Sequence, residues 1–277
     1  MKYMHFKASC SYAALANLLE RMGIETEDTK IALEMDLPRL FAKDGNTYVS
    51  GPMLQSAEWF NLWLKPRGLI MTETEVQKDA LCGMLQSNGP LMLGIQNLYG
   101  KHAVVFTKYD GAYQFVNPTH ENSGEKTELV LTEKELLNRT DETMMLASIG
   151  RMKPEPVDLC PYFRRSVQII RENVAEIERF ASVTHGPDLY PSALNRLFRP
   201  LLLDGISMLT LIGETTLAER FAVLQTELMS FLRGPRTGRL KDGLSLDEFR
   251  NAAEEYVRLI EVKIGKTIMQ EASTSTL

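Results

Sequence analysis

The spacing of hydrophobic positions changes twice along the chain, near residue 90 and again near residue 155. Before the first change, apolar residues recur three or four positions apart, as on one face of a helix, and between the two changes they follow the pattern of β-strands. After a short proline segment at 152–156, the helical spacing returns. Helices followed by antiparallel strands predict an α+β domain over residues 1–152, and the remainder predicts an all-α domain over residues 157–277.

Four helices are predicted in the first ninety or so residues. In the first of them, Leu15, Leu18 and Leu19 share one face, and Gly23 follows the last apolar residue as a stop signal. The second is a short helix within a polar, mixed stretch, and the last two have the apolar spacing of amphipathic helices. The predicted helices span residues 10–22, 29–33, 53–64 and 72–86.

Five antiparallel strands are predicted between residues 90 and 150. Asp110-Gly111 is a two-residue hairpin signal between two of them. Thr132, followed three residues later by Glu135, forms a capping box that opens a short helix. The predicted strands span residues 90–96, 102–109, 112–116, 128–131 and 144–149.

The C-terminal stretch has no strand signal beyond Pro161. Val167, Ile170 and Val174 begin a series of apolar residues spaced three and four apart, and a second series starts at Leu217. We expect four helices with short connections, which is typical of a helical bundle.

Composition and charge exclude several classes of protein. The chain is 44% hydrophobic and 24% charged, which is ordinary for a globular protein. Its formal net charge of -5 gives no overall positive field, so we expect no nucleic-acid partner. The longest apolar runs are far shorter than a membrane span, and we therefore expect no membrane partner.

The three cysteines predict free thiols. Cys10, Cys82 and Cys160 are widely spaced, with no paired metal-ligand or disulfide pattern, and this favours a reducing cytoplasm and no zinc site. No glycine-rich phosphate loop is present, so no cofactor is predicted. Lys2 and Lys7, close to the first residue, leave no space for a signal peptide, and we expect a cytoplasmic protein.

Three of the predicted elements carry residues suited to thiol chemistry. Cys10 begins the first helix, where the positive end of the peptide dipole favours a thiolate. His102 begins a strand about ninety residues later, and Asn117 ends the next strand. Each residue alone also fits a structural role: a core cysteine, an edge histidine or a turn asparagine. Their order along the chain favours a thiol acyl-transfer site.

The sequence around these residues resembles the papain-like cysteine peptidase superfamily. The resemblance rests on the helix that Cys10 opens, on His102-Ala103-Val104-Val105 and on Val116-Asn117-Pro118, and it covers residues 1 to about 150. It is closest to the bacteriocin-processing (double-glycine) peptidase-like branch. It implies that Cys10 is the nucleophile, that His102 moves the proton and that Asn117 orients the imidazole.

Two features depart from the pattern of that family. Asn117 stands where the peptidase branch commonly has Asp, although other papain-like enzymes use Asn. The residues before Cys10 also lack the Gln that completes the oxyanion hole in the family. The backbone N–H of Cys10 can supply one donor, and His5, Lys7 and Gln96 are three alternatives for the second.

The resemblance leaves three functions open. The first is a peptidase or amidase of narrow specificity that forms a thioester at Cys10. The second is an acyltransferase that moves an acyl group from a carrier-protein thioester to an amine, since such enzymes have a similar two-part layout. The third is a catalytically lapsed binding module, motivated by the missing Gln.

The predicted partners differ with these functions. A peptide or an acyl thioester would be the substrate. The loop that carries Arg233, Arg236, Arg239 and Lys241 is either a solvated connector or a docking surface for an acidic carrier protein. The C-terminal helices are also candidates for homo-oligomer formation.

Overall fold

The computed structural model describes residues 1–97, 100–186, 188–234 and 239–274. They form two compact units. Residues 1–35 and 55–157 make up the first unit, and residues 36–54 and 158–277 the second. The predicted domain boundary after residue 152 lies close to residue 157, where the first unit ends. The sequence places residues 36–54 in the first domain, but in the structure they belong to the second unit.

The elements are numbered in chain order. The strands are β1 (Phe41–Asp44), β2 (Thr47–Ser50), β3 (Leu69–Gln77), β4 (Leu91–Asn97), β5 (Gly100–Tyr109), β6 (Tyr113–Val116), β7 (Glu128–Leu131) and β8 (Thr143–Arg151). The α-helices are α1 (Cys10–Glu20), α2 (Asp28–Glu34), α3 (Ala57–Leu64), α4 (Lys78–Ser87), α5 (Glu133–Asn138), α6 (Cys160–Ala181), α7 (Leu189–Ala193), α8 (Gly205–Leu211), α9 (Thr215–Arg233) and α10 (Leu246–Thr274).

The first unit is built on a six-stranded antiparallel sheet. Its strand order is β3-β8-β4-β5-β6-β7. The central strands β4 and β5 are apolar over most of their length because α1 packs on both of them and α4 packs on β5. Their register places His102 opposite Ile95, so the predicted histidine lies near the start of a buried strand. The predicted α+β architecture is confirmed.

The predicted helix over residues 72–86 is wrong in its first half. Residues up to Gln77 belong to β3, which pairs with β8, and the helix begins only at Lys78. The stretch from Thr72 to Gln77 alternates β-branched residues with Glu or Gln, a period-two pattern that favours a strand. The capping box at Thr132 and Glu135 is confirmed at the start of α5.

A hairpin missed by the sequence analysis belongs to the second unit. Strands β1 and β2 pair across Gly45-Asn46, where Gly45 adopts a positive φ of 54°. The hairpin is tied to the helices of its unit, since the Phe41 N–H donates to the Ser166 hydroxyl at 2.9 Å. The Tyr256 hydroxyl donates to the Pro38 carbonyl at 2.6 Å. The second unit is therefore not wholly helical.

The helical character of the C-terminal stretch is confirmed. Beyond Cys160, the described residues form helices and connections without a strand. The sequence predicts one buried helix over residues 191–212. Helices α7 and α8 are joined by π-helical turns at 194–198 and 200–204, so residues 189–211 form one continuous helical stretch there. The predicted apolar faces are buried, and α6 packs against α10.

Candidate active site

Cys10 is the first residue of α1, as predicted, and its thiol is half-buried. Burial by itself raises the pKa of the Cys10 thiol, but interactions with the His102 imidazole and the backbone N–H of Ala103 outweigh burial and lower the pKa below its usual value. The Ser11 hydroxyl contributes in the same direction to this lower pKa. The thiolate is therefore favoured by direct donors as well as by its place at the positive end of a helix.

The His102 ring is held between the thiol and a backbone carbonyl. Burial by itself lowers the pKa of His102, whereas the Cys10 thiol, the Pro118 carbonyl and the negative charge of Glu125 raise it, and the net pKa is above the usual histidine value. A lowered thiol pKa beside a raised imidazole pKa describes a pair that favours thiolate and imidazolium. The structure thus brings together the two residues that the sequence analysis placed about ninety positions apart.

Asn117 lies beside this pair but makes other contacts. Its side-chain amide donates to the Lys126 carbonyl at 2.6 Å, and its backbone N–H donates to the Thr127 carbonyl at 2.8 Å. The group that accepts from the His102 ring is the carbonyl of Pro118, the next residue. Asn117 and His102 line the same cleft, so the orienting role of the Asn117 side chain stays a prediction.

A buried carboxylate that the sequence analysis missed supports the turn before Cys10. Asp28 is fully buried at the start of α2. Its oxygens accept from the His5 N–H at 2.7 Å and from the Ser9 hydroxyl at 3.0 Å, and one lies 2.5 Å from His5 Nδ1. No nearby motif marks this role of Asp28 in the sequence, because its partners in the turn before Cys10 lie 19 to 23 residues away.

The same turn contains a strained residue. Ala8 has a φ of 63°, in the left-handed region that costs a non-glycine residue roughly 1 kcal/mol or more. The Gln55 side-chain amide donates to the Ala8 carbonyl at 3.3 Å, and the Gln55 oxygen accepts from the Ser11 hydroxyl at 3.1 Å. Gln55 therefore contacts residues on both sides of Cys10 and fixes the start of the helix.

The three predicted oxyanion donors lie in different surroundings. His5 is bound to Asp28, and Lys7 is exposed in the turn before the helix. Gln96 lies on β4, lines the cleft with His102 and donates from its side chain to Asp141 at 3.3 Å. Gln55 joins them as a fourth side chain near Cys10. The choice among these donors stays open.

The cleft beside His102 has a volume of about 510 Å³ and is lined by residues of the first unit. Its walls combine apolar side chains, such as Ile95, with amide groups and with the charged residues Glu125, Lys126 and Arg139. This volume lies within the range of small-molecule sites.

The predicted basic loop is only partly described. Arg236 lies outside the described residues. Arg239 Nε is 3.6 Å from the Asp242 carboxylate, and Arg233 is an exposed residue at the end of α9. Docking of a carrier protein at this loop therefore stays a prediction.

Within the described residues, no group of three or more His, Cys, Asp or Glu side chains is placed to hold a metal ion. No helix in that part of the chain combines the length and the apolar character needed to cross a membrane.

A scan of the sequence against protein-family models gave no match, and a comparison with curated proteins gave none either.

Proposed function

We propose that the protein is a thiol-dependent acyl-transfer enzyme in which Cys10 is the nucleophile and His102 the acid–base group. The observation that carries this proposal is the mutual effect of the two residues on their pKa values, which favours thiolate and imidazolium. Cys82 is a useful contrast, because burial raises the pKa of its thiol.

The expected reaction has two halves. The Cys10 thiolate attacks the substrate carbonyl, and the negative charge moves to the carbonyl oxygen while the new C–S bond forms. When the tetrahedral intermediate collapses, the bond to the leaving group breaks and the His102 imidazolium gives that group its proton. In the second half, neutral His102 takes a proton from the acceptor, which attacks the thioester and releases Cys10.

The acceptor decides between the two enzymatic alternatives. Water gives hydrolysis of a peptide or amide, which is our leading proposal. An amine gives acyl transfer, and the volume of the cleft beside His102 is large enough for such an acceptor. The first half of the reaction is the same in both, so one experiment can test the shared step.

That experiment is trapping of the acyl-enzyme by intact mass. The protein is mixed with small activated thioesters, and the acyl group is mapped by peptide mass and challenged with neutral hydroxylamine, which cleaves thioesters. We expect a hydroxylamine-sensitive adduct on Cys10 that forms much more slowly in His102→Ala. An adduct spread evenly over Cys10, Cys82 and Cys160 would contradict the proposal and favour a binding role.

A further inference from the structure

The cleft beside His102 is lined by a cation, Arg139, that forms no ion pair with any described residue. Arg139 follows α5 and is half-buried. Its carbonyl accepts from the Gln96 N–H at 2.7 Å, which fixes this residue against β4. Within the described residues, no Asp or Glu oxygen lies within 4.0 Å of its guanidinium nitrogens, so Arg139 forms no ion pair there.

The acidic residues near Arg139 are committed elsewhere. Asp141 lies 2.8 Å from the Lys101 ammonium and accepts from the Gln96 side chain at 3.3 Å. Glu135 accepts from the backbone and side chain of Thr132 in the capping box of α5. The positive charge of Arg139 helps to lower the pKa of Glu135, but Glu135 makes its hydrogen bonds to Thr132 and forms no ion pair with the guanidinium. The guanidinium nitrogens can therefore still bind a ligand that enters the cleft.

The balance of charge in the cleft is positive. Arg139 and Lys126 are cations that line it, and Glu125 is the one carboxylate among the described lining residues. The negative charge of Glu125 also acts on the His102 ring and raises its pKa. A guanidinium in a partly enclosed site binds a carboxylate through two parallel hydrogen bonds, which a neutral acyl group cannot form.

We propose that the site acts on substrates whose acyl group carries a carboxylate, and that Arg139 binds this carboxylate beside the Cys10–His102 pair. This inference rests on the proposed function. It adds a substrate class to it: an acidic acyl group, such as a dicarboxylic monoacyl group or an acidic residue next to the scissile bond. Lys126, at the exposed rim of the cleft, adds attraction at longer range.

Two alkylating reagents of different charge test the inference. Iodoacetate and iodoacetamide both form a C–S bond with a thiolate and expel iodide, but only iodoacetate carries a carboxylate. The fraction of Cys10 present as thiolate affects both rates equally, so it cancels in their ratio. The same ratio at Cys82 measures how far the two reagents differ in reactivity toward a thiolate away from Arg139. We expect a higher iodoacetate-to-iodoacetamide ratio at Cys10 than at Cys82. Arg139→Gln should lower the Cys10 ratio by about ten-fold.

Arg21→Gln is the matched control. It removes the same charge from an exposed arginine just after the last residue of α1, roughly 16 Å along the helix from Cys10. We expect this variant to keep the wild-type ratio. Arg139→Lys should give an intermediate ratio, since it keeps the charge and loses the paired hydrogen bonds.

A measurement on the wild-type protein makes the test independent of how the variants fold. Raising the NaCl concentration from 50 to 500 mM should lower the iodoacetate rate at Cys10 more than the iodoacetamide rate, because salt screens the attraction. The acyl-trapping experiment should likewise favour a succinyl thioester over a butyryl thioester of the same chain length.

The outcomes separate the two proposals. Fast alkylation of Cys10 with a ratio that equals the Cys82 ratio, or that is unchanged by Arg139→Gln, would overturn the acidic-acyl inference and leave the proposed function standing. Slow alkylation of Cys10 by both reagents near pH 6 would overturn the proposed function itself.

Discussion

Cys10 and Cys82 are half-buried thiols in helices of the same unit, and they differ in what faces them. Burial raises the pKa of both thiols. At Cys10, an imidazole and a backbone N–H reverse that effect, and the net pKa falls. At Cys82, the Tyr113 hydroxyl opposes burial only in part, and the net pKa rises. The comparison indicates that the groups facing a thiol, more than its burial, decide whether its pKa is lowered or raised.

Cys160 also begins a helix, but its surroundings differ from those of Cys10. Like Cys10, it is the first residue of a helix, but it is only 5% exposed. Cys160 also has a carboxylate close to its helix end: the backbone N–H of Cys160 donates to the Asp158 carboxylate at 2.8 Å. The negative charge of the Asp158 carboxylate offsets the positive end of the helix dipole, which would otherwise favour a thiolate.

The largest expected effect comes from removing the nucleophile. Cys10→Ala should lower acyl transfer by about a thousand-fold or more, because no other described group can take its place in the covalent step. Cys82→Ala is the matched control and should change the rate by less than about two-fold, since its thiol is not ionised near neutral pH. Both are measured as turnover of the best thioester from the trapping screen. A Cys10→Ala variant that keeps its activity would show that Cys10 is not the nucleophile.

Asp28→Asn should have the next largest effect. The amide that replaces the carboxylate has one acceptor fewer, and its NH2 group would face the donors of His5 and Ser9. Because those hydrogen bonds are lost in a buried place, we expect the free energy of unfolding to fall by about 2 kcal/mol. Urea unfolding measures this loss, and the alkylation rate of Cys10 should fall with it as the turn loosens. Asp79→Asn, at an exposed position in α4, should change the free energy of unfolding by no more than about 0.5 kcal/mol. Equal losses in the two variants would argue against a supporting role for Asp28.

Asn117→Ala separates two accounts of how His102 is oriented. If the Pro118 carbonyl holds the ring, the alkylation rate of Cys10 near pH 6 should change by less than about three-fold. The resemblance to papain-like enzymes instead implies that the Asn117 side chain orients the ring, and a loss of about ten-fold or more would support that role. The readout is peptide-resolved alkylation of the folded variant.

Tyr113→Phe should have the smallest effect and should act on Cys82 alone. It removes the hydroxyl that partly offsets burial, so the pKa of Cys82 should rise further and its alkylation near pH 8 should slow by about two-fold. The Cys10 rate in the same sample serves as the control. A parallel change at Cys10 would mean that the two thiols respond to a general loosening of the unit.

Much of the first unit could be predicted because its signals are local. The strands β4 to β7 follow from apolar runs and turn residues, and the capping box at Thr132 marks α5. The error at residues 72–77 arose because this stretch is largely exposed and its period-two alternation is between polar residues, so the apolar spacing of the following helix was extended over it. Hairpin β1–β2 was missed because Ser166 and Tyr256, which contact Phe41 of the hairpin, lie more than a hundred residues away.

Some residues of the candidate site could likewise be predicted from local sequence signals, and others could not. Cys10 and His102 could be found because helix-start and strand-start residues have a recognisable pattern and order. The Pro118 carbonyl could not, since a backbone group carries no residue signature. Asp28, Gln55 and Arg139 act through contacts made by the folded chain, and their residue types are common on any surface.

The most direct test of the account is the alkylation rate of each cysteine by iodoacetamide as a function of pH, in wild type and in His102→Ala. Because the pKa of Cys10 is lowered, its rate should already be high below pH 7 and level off below the free-thiol pKa of about 8.5. In His102→Ala the largest lowering interaction is lost, while burial and the weaker contributions of Ala103 and Ser11 remain, so the rise of the Cys10 rate should move to higher pH, toward the profile of Cys82. A wild-type Cys10 that follows the Cys82 profile would contradict the account.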